Sequence, residues 1–361
     1  NGTTYNAGTG NDSISVTVAG LVATGADDNK INAGDGTDTI TISDAGATTL
    51  TDNHFTFVTG AEKLTLSGTG DTSITTGGSF NTAFATSATI TSGTVADTST
   101  FAYSGGLYGQ DTTVVVNGDA ALMNAASESF SIVTGAGDDT VTLNTAAIVG
   151  AAGASSGVVV TTGAGADKIT IEYGTMLAST GTQVATVTAG TGADTITKTA
   201  GTNSTTVTSV TKYVVAAGDS NTDGRDKITG YDVADGTNFG DLIDLPAATV
   251  ATSVASEDYG VISSHNLSGG FMLFDDAAAY ATALVINSSN LGDVLGYLAA
   301  NVTNNQTVAF LYDSTGDGSN DATMVFMNGA TDILIELAGI TAATSVNATA
   351  TTTTANTIII G

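Results

Sequence analysis

Hydrophobic and polar residues alternate in short runs over most of the chain, and glycine-rich turns separate the runs. In "VVVTTGAGADKITI" (158–171), a run of Val and Thr precedes one turn and Ile alternates with polar residues after it, and "SFSIVTGAGDDTVTL" (129–143) alternates on both sides of its turn. Alternation with a period of two in β-branched residues predicts short strands joined by tight turns. We therefore expect a mainly β protein with few long helices.

The turns share one phrase, G-x-G-x-D-x-(hydrophobic)-x. The first two clean copies start 26 residues apart, the last three start 28 and 27 residues apart, and a stretched sixth copy starts 28 residues later, at Gly218. A period in the high twenties is typical of a β-solenoid in which each coil supplies one corner, with corners stacked about 4.8 Å apart. The sequence therefore predicts a parallel β-solenoid. The clean copies start at Gly8, Gly34, Gly135, Gly163 and Gly190.

The phrase lapses between residues 44 and 130, although the strand-like alternation continues. A near-miss at Gly68, Gly70 and Asp71 places the aspartate one residue early. Two interpretations stay open: solenoid coils without the special corner, or an inserted β-rich subdomain. We accordingly divide this part of the chain into coils (1–48), the β-rich segment (49–129) and further coils (130–245).

Residues 246–361 differ in character and predict a smaller, mixed but β-rich C-terminal domain. "FLYDSTGDGSNDATMVFM" (310–327) predicts two strands around an acidic loop, and "TDILIELAGI" (331–340) predicts a further strand. A helix is expected over 289–302, capped by Ser289 or Asn290. Its apolar face has helical spacing and consists of Leu291, Val294, Leu295, Leu298 and Val302.

The charge balance narrows the range of partners. Thirty-five acids against seven bases give a net charge of −28. Nucleic acids and anionic membranes are poor partners, because both require clusters of Lys and Arg. So large an acidic excess repels itself in a folded chain, and divalent cations would neutralise it. No run is apolar enough to cross a bilayer, and without cysteine there are no disulfides. The chain opens inside a repeat, which we interpret as a piece of a longer or processed protein.

The repeated corner offers the chemistry of a calcium site. Ca²⁺ takes six to eight oxygen ligands, and both carboxylates and backbone carbonyls are suitable. The glycines let the turn direct its carbonyls inward, and the aspartate adds a charged oxygen. The following hydrophobic residue anchors the turn in the core. One corner has too few oxygens, so we expect two stacked corners to share each ion, and several ions in all.

Two further acidic loops have the D-x-[DNT]-x-D-G spacing that begins an EF-hand loop. Their twelfth positions, Gly230 and Met324, lack the bidentate glutamate, so neither is a complete EF-hand. Calcium binding and an ordinary acidic turn are both open for each loop. The candidate ligands are Asp219, Asn221, Asp223 and Asp226 in the first loop and Asp313, Thr315, Asp317 and Asp321 in the second.

The phrase resembles the nonapeptide G-G-x-G-x-D-x-(hydrophobic)-x of the RTX calcium-binding β-roll. Copies such as "AGTGNDSIS" (7–15) have Ala or Thr in place of the first Gly, and the tandem nonapeptides of that family are missing. The resemblance implies calcium held between coils by corner aspartates and glycine carbonyls. The implied ligands are Gly8, Gly10, Asp12, Gly34, Gly36, Asp38, Gly135, Gly137, Asp139, Gly163, Gly165, Asp167, Gly190, Gly192 and Asp194.

A second resemblance covers the end of the chain. "DKITGYDVADGTNFGDLIDL" (226–245) is similar to the segment that ends RTX repeats and leads into the C-terminal domain of type I-secreted proteins. With the Thr/Ala/Ser/Val-rich composition, the chain resembles RTX-type bacterial surface-layer proteins over residues 1–42 and 130–361. The resemblance implies export from a Gram-negative cell by the type I secretion machinery, folding outside in calcium, and self-assembly into a calcium-bridged surface array or filament.

The sequence does not predict an enzyme. His54 and His265 have no metal-binding partner at helical spacing, and we expect both to lie in loops. HExxH and P-loop motifs are absent from the sequence. The pair Asp275 and Asp276 is interpreted as a solvated turn or a helix start. The alternatives to an array are a calcium-folded adhesin or other binding module, and the secretion portion of a larger exoenzyme.

Thr-x-Thr segments raise one more alternative, an ice-binding face, because ladders of threonine on a calcium-stacked solenoid can order water. "TIT", "TVT" and "TLT" all occur. From the sequence they do not recur in an identical register in each coil. We therefore do not expect this face.

Overall fold

The alternating runs form strands in the computed structural model, and the turns stack them into a solenoid. The protein is mainly β, with 47% of residues in strands and 9% in helices, and it forms a parallel β-solenoid of about six turns. The residues that the structure describes are 4–21, 30–44, 46–68, 70–95, 100–106, 108–118, 129–144, 157–173, 181–199, 207–234, 240–247, 249–348 and 357–361.

The chain separates into two units. The first contains residues 1–189 and 199–209, and the second contains residues 190–198 and 210–361. Each unit is described by itself below.

The first unit contains a sheet of seven parallel strands, here called the front sheet. Its strands are one coil apart in sequence, so each register position forms a column that runs through the coils. In one inward column, Ile40, Leu64, Ile90, Val114 and Val141 are at most 1% exposed. Each coil therefore buries its apolar side only against its neighbours. The strands are Ser13–Val16, Thr39–Ile42, Lys63–Leu66, Ala88–Val95, Thr112–Gly118, Thr140–Asn144 and Lys168–Glu172.

A second parallel sheet, the back sheet, forms another side of the same coils. Its strands are Thr48–Leu50, Thr72–Thr75, Thr100–Ser104, Ser129–Val133 and Gly157–Ala164. The strand Gly181–Thr191 follows in sequence. A short third sheet pairs Thr4–Asn6, Lys30–Asn32 and Val58–Thr59. The chain leaves the third sheet, and every back-sheet strand named here except Thr48–Leu50, through a corner that leads into the front sheet. Thr48–Leu50 leads to Val58–Thr59 in the third sheet.

The described part of the segment 49–129 continues these sheets. Ala88–Val95 pairs in parallel with Lys63–Leu66 on one side and Thr112–Gly118 on the other. In addition to these strands, the segment 49–129 contains a 3₁₀ helix at Asp52–Phe55 and a helix at Gly78–Ala83. These described residues therefore form solenoid coils. Another short helix, Val18–Leu21, follows the first strand of the front sheet.

The second unit continues from two parallel strands into an antiparallel region. Asp226–Thr229 pairs in parallel with Thr195–Thr199 and with Ile333–Ala338. Antiparallel pairing then joins Ile333–Ala338, Ala322–Met327 and Gln306–Tyr312. The other strands are Val207–Val214, Leu242–Asp244, Thr249–Val250, Ser264–Ser268, Phe271–Asp275, Val346–Ala348 and Thr357–Ile360.

The helix predicted over 289–302 is confirmed as Leu291–Asn301, with Asn290 at its N-cap. Its side chains at Val294, Leu298 and Val302 are buried in an apolar core with Phe310. The strands predicted on both sides of the second acidic loop, and the strand after them, are confirmed as well. This unit therefore has a core of its own.

As expected, the Thr-x-Thr segments do not recur in every coil, because Thr39 pairs with Lys63 and Thr140 with Lys168. Single threonines nevertheless align between coils. Thr41 pairs with Thr65 and Thr65 with Thr91, and Thr142 pairs with Thr170. The spacing in sequence varies because turns of different length lie outside the strands. Because the extra residues lie in the turns, the paired strand positions stay aligned.

Candidate functional site: the stacked acidic corners

The glycines of the repeated phrase lie one above another. Gly34 has φ of +104°, and a Cβ there would overlap the carbonyl oxygen of Gly8 in the preceding coil. Gly163 has φ of +105° and lies in the same way over Gly135. Only glycine tolerates both the left-handed backbone and so close an approach of two main chains. Stacking of coils therefore explains the glycines without a ligand.

The corner aspartates connect successive coils. Asp38 is fully buried, and its Oδ1 accepts a hydrogen bond from the backbone N–H of Asp12 in the preceding coil (2.8 Å). Asp167 Oδ1 accepts in the same way from the N–H of Asp139 (2.7 Å), and Asp139 Oδ1 from the N–H of Thr112 (2.7 Å). Each carboxylate thus satisfies a buried N–H that the turn would otherwise leave without an acceptor. We call this column the inner ladder.

Two members of the inner ladder were not recognised as such from the sequence. Glu62 takes the place of the aspartate in the third coil, and its Oε2 accepts from the N–H of Asp38 (2.8 Å). In the second unit, Asp226 Oδ1 accepts from the N–H of Asp194 (3.1 Å). The stretched copy therefore aligns through Asp226, eight residues after Gly218. An acid two residues before a front-sheet hydrophobic residue is the signal that would have found both.

An outer ladder runs beside the inner one and was missed altogether. The residue before the corner aspartate accepts from the next coil: Asn11 Oδ1 from the N–H of Thr37 (3.0 Å), and Asp138 Oδ1 from the N–H of Ala166 (2.8 Å). Asp111 Oδ1 accepts similarly from the N–H of Asp138 (3.0 Å). The two ladders thus join coils in opposite directions, and the outer ladder is interrupted where Thr37 or Ala166 occupies the outer position.

The inner ladder leaves charge without compensation. The Oδ2 atoms of Asp12, Asp38 and Asp139 are buried and accept no hydrogen bond from the described residues. The ion pairs assigned to described residues, such as Lys198 with Asp241, do not involve these three aspartates. Burial raises the pKa of Asp139 to about 6, because loss of hydration disfavours the carboxylate. The corner therefore favours either a proton or a cation at this oxygen.

Calcium fits this donor set in its chemistry. Each corner offers a carboxylate oxygen, and hard oxygen ligands suit Ca²⁺. The glycine carbonyls of Gly8 and Gly135 also accept backbone N–H groups of the next coil. Among the residues described, no three Asp, Glu, His or Cys side chains converge as a metal-binding group. An ion would therefore take most of its ligands from carbonyl groups and water, with one aspartate from each of two coils. The assignment of these residues as calcium ligands stays a prediction.

A different corner closes the coils in which the phrase lapses. Four aromatic side chains meet there: Phe80 lies 4.9 Å from Phe55, 4.5 Å from Phe84 and 5.4 Å from Tyr108 between ring centroids. Phe84 and Tyr108 stand where other coils have the first glycine, and the Tyr108 hydroxyl donates to the carbonyl oxygen of Phe84 (2.5 Å). This aromatic corner contributes apolar surface to the core, and Ala88 replaces the inner acid.

The acidic loop at 313–321 closes on itself. Asp313 Oδ1 accepts from the N–H of Gly316 (2.6 Å) and its Oδ2 from the N–H of Gly318 (2.8 Å). Asp321 accepts from the N–H groups of Ser314 and Thr315. Burial alone would raise the pKa of Asp313, but these backbone donors lower it. The carboxylates are therefore stabilised in their charged form by their own loop.

The candidate ligands of the first acidic loop (219–226) have two different structural roles. Asn221 Oδ1 accepts from the N–H groups of Asp223 and Gly224 (both 2.9 Å), while Asp219 Oδ2 accepts from the N–H of Ala216 (2.7 Å). Asp226 belongs to the inner ladder instead. Burial, followed by the charge of Asp194, raises the pKa of Asp226 to about 8. Calcium binding by either loop stays a prediction.

A cleft of about 370 Å³ in the second unit combines both signs of charge. Glu336 is 3% exposed and pairs with Arg225 (2.9 Å) and Lys227 (3.2 Å). Asp194 and Asp223 also line the cleft. The two bases compensate a buried acid, which leaves no excess of positive charge for an anionic ligand.

Both histidine expectations were wrong. His54 lies in the 3₁₀ helix Asp52–Phe55 and contacts Thr51 through Nδ1, and His265 lies in the strand Ser264–Ser268. His265 Nδ1 is 2.7 Å from the Tyr297 hydroxyl, a hydrogen bond that packs the strand against the helix. Asp275 ends a strand, and backbone donors from Ala281 and Thr282 lower its pKa to about 2. These residues have structural partners.

No protein-family model, curated protein or solved structure matches the chain. In the described part of the chain, no helix has the length and apolar character that a membrane span requires. Because no protein in these comparisons matches the chain, the functional proposal is argued from the corners and their ladders.

Proposed function

We propose that the chain is a calcium-stabilised, secreted structural protein that assembles into an extracellular surface layer or filament. The observation that carries the proposal is that the buried Oδ2 atoms of the corner aspartates Asp12, Asp38 and Asp139 accept no hydrogen bond from the described residues. An isolated buried carboxylate is strongly unfavourable unless a proton or a cation compensates it. A divalent ion shared by two coils would compensate two aspartates together.

Calcium concentration would then decide where the solenoid is stable. Extracellular calcium modules have Kd values of about 10⁻⁴–10⁻³ M, far above the affinity of cytosolic sensors. At ten times Kd, each ion adds about 1.4 kcal/mol to the free energy of unfolding. Several ions would decide the stability of a marginal fold. A chain that passes out unfolded through the type I secretion machinery would therefore fold only outside the cell.

A structural role agrees with the repetition of the corner. A catalytic site requires different side chains held in one arrangement, whereas this chain presents the same acidic corner many times along one side. The net charge of −28 keeps single copies apart. Calcium would bridge acidic edges of neighbouring copies and permit a calcium-linked array. The competing candidate is a calcium-folded binding module that stays monomeric.

Calcium titration of the metal-free chain tests folding and assembly together. Circular dichroism follows β-structure, light scattering follows assembly, and magnesium at equal ionic strength is the control. We expect calcium alone to raise the melting temperature and to produce ordered sheets or fibres in electron micrographs. Unchanged stability would overturn the calcium proposal. A stabilised monomer at high protein concentration would overturn the array and favour the binding module.

A further inference from the structure

The outer surface of the front sheet in the first unit carries hydroxyl groups in two dimensions. Its outward residues form two columns that run through seven coils. One column contains Ser13, Thr39, Lys63, Thr89, Thr113, Thr140 and Lys168. The other contains Ser15, Thr41, Thr65, Thr91, Val115, Thr142 and Thr170. We call these fourteen residues the hydroxyl face.

The geometry of the hydroxyl face is fixed by the sheet. Residues two apart on one strand are separated by about 6.6 Å, and equivalent residues on adjacent strands by about 4.8 Å. Threonine is stiff at χ1, so its methyl and hydroxyl groups keep a defined direction. Nine of the fourteen residues are threonine and two are serine. The face is therefore a preformed lattice of alternating methyl and hydroxyl groups.

The threonine hydroxyls of this face have no protein partner. None of the nine donates to or accepts from another described residue, and all nine are half-buried on the outside of the strands. Neighbouring Ser43 and Ser67 behave differently, because their hydroxyls donate to the carbonyl oxygens of Val16 and Ile42. The hydroxyl face therefore leaves its hydrogen-bonding capacity to an external ligand.

The composition of the face selects the kind of ligand. It contains no carboxylate, although the chain has 35 acids, and only two lysines. Two bases are too few for an anionic polymer. Protein interfaces are enriched in aromatic residues, Met and Arg, all absent from these columns. A sugar chain would likewise find no aromatic ring to stack on. What remains is a neutral ligand that repeats in two dimensions.

We propose that the hydroxyl face binds ice through a layer of water ordered by its threonines. Both spacings of the face are comparable to oxygen repeats on the surfaces of hexagonal ice, so many weak contacts would form at once. Such multivalent binding gains strength without any single strong contact. This activity goes beyond the proposed structural role and does not depend on assembly into an array.

The back sheet provides a matched comparison. Its central outward column contains Thr49, Ser73, Ala102, Ser131 and Val159, which alternate in size and chemistry. No two threonines are adjacent in it. Ice binding should therefore be confined to the front sheet, which makes the proposal testable by substitutions of the same kind on the two sheets.

The test is partition of the full chain, folded in calcium, between slowly growing ice and the remaining solution. We expect the protein to be retained in ice, and the double variant Thr65→Tyr/Thr91→Tyr to lose most of that retention. The matched control is Ala102→Tyr/Ser131→Tyr on the back sheet, which should be retained like the parent. Circular dichroism and melting temperature verify that each variant is folded. Exclusion of the parent from ice, or equal retention of both variants, would overturn the proposal.

A second variant tests the proposal by an expected gain of ice retention rather than by a loss. Lys63→Thr with Val115→Thr fills two gaps in the columns and should increase retention in ice and inhibition of recrystallisation. Unchanged retention in a folded protein would contradict lattice binding. Binding of the parent to insoluble cellulose or chitin instead of ice would assign the face to a crystalline polysaccharide and also overturn the proposal.

Discussion

The first unit closes its coils in two ways, and the acidic and aromatic corners follow the same backbone path. At an acidic corner, Asp38 or Asp139 is buried and accepts an N–H from the preceding coil. At the aromatic corner, Phe80 packs between Phe55, Phe84 and Tyr108, with no buried charge. The backbone path at a coil's corner therefore does not require carboxylates. In the proposed function, the stability of the acidic corners depends on a cation or a proton, whereas that of the aromatic corner does not.

The largest effect should come from the aromatic corner. Phe80 is fully buried, so Phe80→Ala should lower the free energy of unfolding of the first unit by about 3–5 kcal/mol. The loss should be equal with and without calcium, because the substitution removes an apolar side chain and leaves the carboxylates of the acidic corners unchanged. Urea denaturation followed by circular dichroism measures it. The control Tyr5→Ala alters a side chain that is 49% exposed and should have little effect. A calcium-dependent loss in Phe80→Ala would remove the contrast between the corners.

The next largest loss of stability should come from disturbing the stacked glycines of an acidic corner. Gly163→Ala places a Cβ against the Gly135 carbonyl at a φ of +105°. We expect a loss of about 1–3 kcal/mol from backbone strain and overpacking. Gly109→Ala is the matched control, because a Cβ there meets open space. Equal melting temperatures for the two variants would show that the coils do not approach as closely as described.

Removing the charge from one acidic corner separates the hydrogen bond that its carboxylate accepts from the proposed binding of an ion. Asp38→Asn keeps an oxygen that accepts the Asp12 N–H but removes the carboxylate. Without calcium the variant should be at least as stable as the parent, and it should lose about 1.4 kcal/mol of the stabilisation that calcium at ten times Kd gives. Asp258→Asn, an exposed aspartate outside the corners and the acidic loops, is the control for general charge. An unchanged response of Asp38→Asn to calcium would exclude this corner as a site.

The pH dependence gives a further contrast between the two kinds of corner. Burial raises the pKa of Asp139 to about 6, so the folded state binds that proton more tightly than the unfolded state. Asp226 behaves similarly, with a pKa of about 8. The stabilisation is complete below the unfolded pKa of about 4 and is lost as pH rises through the folded values. Melting temperature in calcium-free buffer should therefore fall from pH 5 to pH 8, and less so in calcium. A rise over that range would contradict the account.

The sequence was informative where the period and the strand chemistry agreed. The solenoid, the helix over 289–302 and the strands around the second acidic loop follow from local alternation and capping, and the structure confirms them. Glycine positions were also identified, because the phrase places them at fixed offsets. The coils between 49 and 129 were left open since Phe84 and Tyr108 occupy glycine positions there, which hides the repeat.

Contacts between coils were beyond the reach of the sequence. The inner ladder depends on which residues lie one coil apart, and coil length varies with the turns. Glu62 and Asp226 therefore went unrecognised as members of it. The same variation concealed the common register of Thr41, Thr65 and Thr91. Register is set by pairing of the strands, so it became visible only in the folded chain.

Hydrogen exchange measured with and without calcium tests the central claim most directly, because it resolves the two kinds of corner within one molecule. The account predicts that removing calcium increases exchange at the acidic corners, around residues 10–14, 36–40, 137–141 and 165–169. Protection around the aromatic corner, at residues 78–84, should change much less. Equal loss of protection at both kinds of corner, or no change at the acidic ones, would contradict the account.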